Sequence, residues 1–188
     1  MAMRSFFLSS QSRKGQSLVE ALVALSVLVT GFLGILTLLS QSYYLRRATA
    51  DQLTATYLAA EGVEIARGLI YHDIFKSPSS PWGSCLPAGN YEIDFQTLTT
   101  SPYTCNSVSI PSYNAANPDK LYFDAGSGLY GYNNSFGNLS IPTSPVATNF
   151  SREVSVSYIS TQEAVVQVKV FWKGNTYAIE DHFYNWHP

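Results

Sequence analysis

Charge is scarce in this 188-residue chain: Asp, Glu, Lys and Arg make up 13% of it, about half the ~25% usual in a soluble domain. The net charge is −2 and the pI about 5.9. With no basic excess, nothing argues for bulk nucleic-acid binding. Catalytic signatures are also missing. His72, His182 and His187 are scattered without metal-ligand spacing. No G-x-S-x-G nucleophile elbow occurs. Gly126-Ser127-Gly128-Leu129-Tyr130-Gly131 lacks the Lys-Ser/Thr of a phosphate loop. The expectation is a chain with no catalytic residue, no metal and no cofactor; Asp119 and Asp124, which flank a strand, are the one weak Ca²⁺ candidate. Proline is absent before Pro78, so nothing in the first part of the chain forces a helix to break.

What is present is one long apolar run. Residues Leu18 to Leu39 read LVEALVALSVLVTGFLGILTLL, apolar on every face, with the single charge Glu20. As a helix the run would be about 33 Å long, enough to cross a ~30 Å hydrocarbon core. Arg4, Arg13 and Lys14 precede it with no acidic residue among them. Basic flanks stay on the cytoplasmic side, so the N-terminus is expected inside and the bulk of the chain outside. Arg46 and Arg47 on the far flank oppose that assignment, and Asp51 offsets them only in part. A carboxylate inside a membrane helix costs roughly 2.5–3.5 kcal/mol and reads first as functional; lying near the interface is its simpler explanation. Gly31 and Gly34, mid-span, either loosen the helix or allow close helix packing.

The stretch Lys14-Gly15-Gln16-Ser17-Leu18-Val19-Glu20, with a basic leader before it and the apolar helix after it, resembles the processing site of type IV prepilins and pseudopilins. The detectable resemblance covers residues 13 to about 45. It implies cleavage between Gly15 and Gln16 by a membrane prepilin peptidase, methylation of the new α-amino group of Gln16, and pairing of Glu20 with the N-terminal ammonium of a neighbouring subunit. Two departures stand out: the family commonly has Phe where this chain has Gln16, and many members have a helix-breaking proline downstream. The competing reading is a secretory signal peptide cut at Ala48-Thr49-Ala50, but the run exceeds the 7–15 residues of such a core and Glu20 would go unexplained.

Beyond the run, residues 40 to 76 hold no proline, and Leu53, Tyr57, Ala60, Val63, Ala66, Ile70 and Ile74 recur at helical steps. Leu58, Ile65 and Leu69 fall on another face, and Arg47 with Asp51 and Glu64 with Arg67 can pair along the helix. One continuous helix of about 60 residues is expected, ending at Lys76-Ser77-Pro78. Tyr71-His72-Asp73 near its end reads as surface or interface. Past it come a strand over Tyr91 to Thr97, a hairpin over Leu121 to Tyr132 around Gly126-Ser127-Gly128, and a meander over Arg152–Ser160, Ala164–Trp172 and Thr176–Trp186. In the first meander strand Val154, Val156 and Tyr158 point inward. Cys85 and Cys105 suggest one disulfide in an exported chain, or else two unrelated buried thiols.

The expected fold class is therefore α+β, with the pilin layout: a long N-terminal helix, half membrane-spanning, packed on a C-terminal antiparallel sheet. The expected division is a leader at 1–15, a transmembrane and assembly helix at 16–40, its extension at 41–76 and a β-rich extracellular head at 77–188. The resemblance implies a structural subunit, a minor pilin, staged in the cytoplasmic membrane and then carried at the cell surface. Its partners would be prepilin peptidase, other pilin subunits and the pilus assembly machinery. A pseudopilin of a secretion or DNA-uptake system shares the same motifs; a membrane-anchored binding module that does not polymerise is the reading from a different class.

Overall fold

The computed structural model describes residues 14–76, 82–99, 110–132, 136–137 and 144–186. Residues 1–13, within the expected leader, Cys105 and His187 lie outside these described residues. The fold is α+β. Helix α1 (Lys14–Lys76) is followed by strand β1 (Gly89–Tyr91), the short helix α2 (Phe95–Thr99) and strands β2 (Lys120–Asp124), β3 (Leu129–Gly131), β4 (Val146–Tyr158), β5 (Glu163–Trp172) and β6 (Asn175–Tyr184). The chain divides into two compact units, the first ending at Ala48 and the second beginning at Thr49.

The first unit is helix throughout its described length. The second is a six-stranded antiparallel sheet with the C-terminal part of α1 laid on one face. The strand order is β3-β2-β4-β5-β6, and β1 pairs with β4 beside β2. Strand β4 serves two partners on one edge, β2 against Lys120↔Ser151 and β1 against Tyr91↔Val154. That double duty explains why β4 starts at Val146, earlier than its alternating core residues indicate. Strands β5 and β6 pair in unbroken register from Glu163↔Tyr184 to Trp172↔Asn175. They are joined by Lys173 and Gly174, both at positive φ (46° and 79°), the conformation that matches the twist of a two-residue hairpin.

The core follows from the two periods. Along β5, Ala164, Val166, Val168, Val170 and Trp172 are buried, while the residues between them face outward. On the helix, Ala55, Leu58, Ala59, Val63, Ile65, Ala66, Leu69 and Ile70 form the facing stripe. Each fully buried Leu or Ile there contributes about 1.5–3 kcal/mol. Of the two faces that the sequence marks as apolar, Leu58, Ile65 and Leu69 are inside together with Val63, Ala66 and Ile70, whereas Leu53 and Tyr57 are exposed at 55% and 69%. The small residues Ala55, Ala59, Gly62 and Ala66 decide the matter, because they let the helix approach the sheet. A Cβ on Gly62 would stand 3.0 Å from Val168 and 3.1 Å from Arg152.

The strand expected over Tyr91 to Thr97 is corrected by the structure. β1 ends at Tyr91, and Glu92, Ile93 and Asp94 are all buried instead of alternating. Asp94 then caps α2: its Oδ1 accepts the N–H groups of Gln96 at 3.0 Å and Thr97 at 3.3 Å. A carboxylate at that position starts a helix by satisfying its first free donors, and this overrides the β-like composition.

Candidate functional site

The candidate site begins at the first turn of α1. Gly15 and Gln16 lie in it, where backbone N–H groups have no intrahelical acceptor. From there to Leu45 every large apolar side chain is exposed, between 44% and 76%. The helix is long and apolar enough to cross a membrane, and none of that run is buried within the chain. Its hydroxyls are satisfied internally: Ser26 donates to the Val23 carbonyl at 2.8 Å, Thr30 to Ser26 at 2.9 Å and Thr37 to Leu33 at 2.8 Å. Such back-bonding is how hydroxyls are accommodated where water is absent.

Glu20 has no such solution. Its side chain is exposed, and among the described residues no hydrogen bond or ion pair involves it. Gly31 and Gly34 face open space, with nothing within 4 Å of a Cβ built on either. Neither the carboxylate nor the two glycines meet a partner among the described residues.

Comparison with protein-family models, with curated proteins and with solved structures finds no match to this chain.

At the far end of the run, Tyr43 and Tyr44 are 60% and 76% exposed, and Arg46 and Arg47 are exposed beside them. Asp51, expected to pair with Arg47, is held instead by Lys173 Nζ at 2.6 Å. The Glu64–Arg67 pair forms at 2.7 Å, and Arg67 reaches on to Asp181 at 3.1 Å.

In the second unit the polar groups have structural employment. Arg152 is fully buried. Its Nη1 donates to the Leu58 carbonyl at 2.8 Å and to Glu61 Oε2 at 3.2 Å, and its Nη2 donates to the Ile93 carbonyl. One guanidinium thereby joins α1, β4 and the segment before α2. Sequence reasoning passed over it, although it lies in the same alternating phase as Val154 and Val156. Asp124, the Ca²⁺ candidate, spends both carboxylate oxygens on backbone: Oδ1 accepts from Ser144 N–H at 2.8 Å and Oδ2 from Ser127 N–H at 2.7 Å. Those donors hold its carboxyl below the usual carboxylate range. Asp119 is placed elsewhere, donating its own N–H to Glu92 Oε1 at 3.1 Å, and burial pushes the Glu92 carboxyl up.

Cys85 is disulfide-bonded and buried. His72 is half-buried, with Nδ1 3.6 Å from Cys85 Sγ. Beside the helix a cleft of about 330 Å³ is lined by Tyr57, Glu61, Leu129 and Tyr130, among others. His182 heads a surface cluster on β5 and β6, 2.8 Å from Glu163 and 3.6 Å from Glu180.

Proposed function

We propose that this chain is a structural subunit of a type IV pilus or a related pseudopilin filament. It is cut between Gly15 and Gln16 by a prepilin peptidase, held in the cytoplasmic membrane by the first part of α1, and carried outward on assembly. The α+β arrangement, a long N-terminal helix with an antiparallel sheet on its C-terminal part, supports the pilin layout. The observation that carries the reading is Glu20, a lone carboxylate in the apolar, exposed run Leu18–Leu39 of that helix, five residues after Gly15. An unpaired charge in low dielectric is costly, and pairing recovers much of that cost. A subunit whose Glu20 meets the terminal ammonium of a neighbour is thus more stable in the filament than alone in lipid. The exposed Leu53 and Tyr57 supply further apolar surface for neighbours. On this reading the chain performs no catalysis; its chemistry is its own processing and polymerisation.

The deciding experiment is mass spectrometry of the N-terminus of protein isolated from cells that contain the peptidase. The expected mature chain starts at Gln16 with a methylated α-amino group. A chain that retains residues 1–15 overturns the proposal, and one that starts at Asp51 identifies a secreted protein instead.

A further inference from the structure

The end of the apolar run carries an arrangement that cleavage and polymerisation do not require. Tyr43 and Tyr44 are followed after one leucine by Arg46 and Arg47, all exposed. The nearest carboxylate along the helix, Asp51, is withdrawn by Lys173 at 2.6 Å. Among the described residues no ion pair involves either arginine. Two uncompensated guanidinium groups and two phenols thus stand together one turn beyond the apolar stretch.

Distance fixes the environment they meet. From Glu20 to Tyr43 the helix rises about 34 Å, a little more than a ~30 Å hydrocarbon core. With Glu20 just inside one boundary of the hydrocarbon core, the tyrosine pair falls at the other. Tyrosine is favoured at that level because its ring is apolar and its hydroxyl is wet. Arginine there extends its fork into the headgroups, where phosphate accepts two parallel hydrogen bonds.

We propose that Tyr43, Tyr44, Arg46 and Arg47 form an interfacial collar that binds the phosphate groups of anionic phospholipids. The collar accounts for two arginines on the flank where the positive-inside tendency disfavours them: they are lipid ligands, outnumbered as topological signals by Arg4, Arg13 and Lys14. The inference rests on α1 crossing a membrane, and not on cleavage or filament assembly.

The test uses the full chain in phosphatidylcholine vesicles with trace spin-labelled phosphatidylglycerol or phosphatidylcholine. The ratio of the two motionally restricted fractions gives the preference for the anionic lipid. Each arginine near the surface is worth about fivefold, so the R46Q/R47Q double variant should lose at least about fivefold of the native preference. The R46K/R47K variant, which keeps the charge but loses the guanidinium fork, should fall between the native chain and R46Q/R47Q, and substitutions at Arg4, Arg13 and Lys14 should leave the R46Q/R47Q difference in place. Inorganic phosphate at constant ionic strength should not compete. Equal preferences in R46Q/R47Q and native chain, or displacement by free phosphate, would overturn the collar. A chain that shows the collar effect yet keeps its leader in cells would overturn the filament reading alone.

Discussion

At the scale of the residue, Arg152 shows how much organisation one buried charge can impose. A guanidinium stays protonated at any pH a protein survives, so its complete burial demands partners. Leu58, Glu61 and Ile93 are those partners, and only Glu61 carries the opposing charge. Removing a partner from a buried pair is far worse than never having buried the pair, because the remaining charge is left uncompensated. Because the Glu61 side chain is 34% exposed, solvent takes over part of its role, and Glu61→Ala should destabilise the folded chain by about 2 kcal/mol, less than the ~3–5 kcal/mol of a fully buried pair, read as a lowered urea midpoint in detergent. Glu64→Ala, one turn on, removes a solvent-exposed ion pair and should cost well under about 1 kcal/mol. If the two variants unfold together, Arg152 is not held by Glu61 in the way the geometry indicates.

At the scale of the element, legibility followed periodicity. The β4–β5–β6 meander was readable because Val154, Val156, Val166, Val168 and Val170 alternate cleanly, and α1 was readable because no proline interrupts it. The segment after Tyr91 misled because its apparent alternation comes from residues buried by side-chain hydrogen bonds, a tertiary fact that no local pattern contains. The buried side of α1 could not be singled out because more than one face is apolar, and the choice rests on small residues at the helix–sheet contact, Ala55, Ala59 and Gly62. The β5–β6 pair also carries a pH dependence. The hydrogen bond that His182 donates to Glu163 raises the His182 pKa above its ordinary 6.5, against some opposition from desolvation and with further help from the Glu163 and Glu180 charges. A raised folded-state pKa means that the native chain binds the proton more tightly than the unfolded one. The contribution is complete below about 6.5 and is lost as pH rises through the folded value. The native urea midpoint should fall between pH 6 and pH 8.5 by more than that of His182→Gln. High salt should narrow the gap, since the group is solvent-exposed. Identical pH profiles would mean that the cluster contributes nothing to stability.

At the scale of the whole molecule, membrane residence and assembly make opposite demands on one side chain, and this opposition separates a filament subunit from a simple anchor. Glu20 is the third residue of the apolar run that could cross a membrane; a carboxylate costs roughly 2.5–3.5 kcal/mol at the centre of such a helix and less toward its end. Glu20→Ala should therefore make insertion more favourable, by less than that full amount. If Glu20 serves only as an incidental polar residue near the interface, the substitution improves the protein or leaves it unchanged. If it pairs with a neighbour's terminal ammonium, the substitution removes the electrostatic preference for the assembled register, and filaments should fall by at least about tenfold, the equivalent of 1.4 kcal/mol per contact. Glu20→Gln, which keeps the shape and loses the charge, should fail in the same way, whereas Glu20→Asp should retain part of the assembly. Processing at Gly15 should persist in all three, so the mature N-terminus reports that each variant reached the membrane. Filaments sheared from the cell surface and quantified by immunoblot supply the measurement. Native levels from Glu20→Ala, with cleavage intact, would show that the carboxylate does not drive assembly.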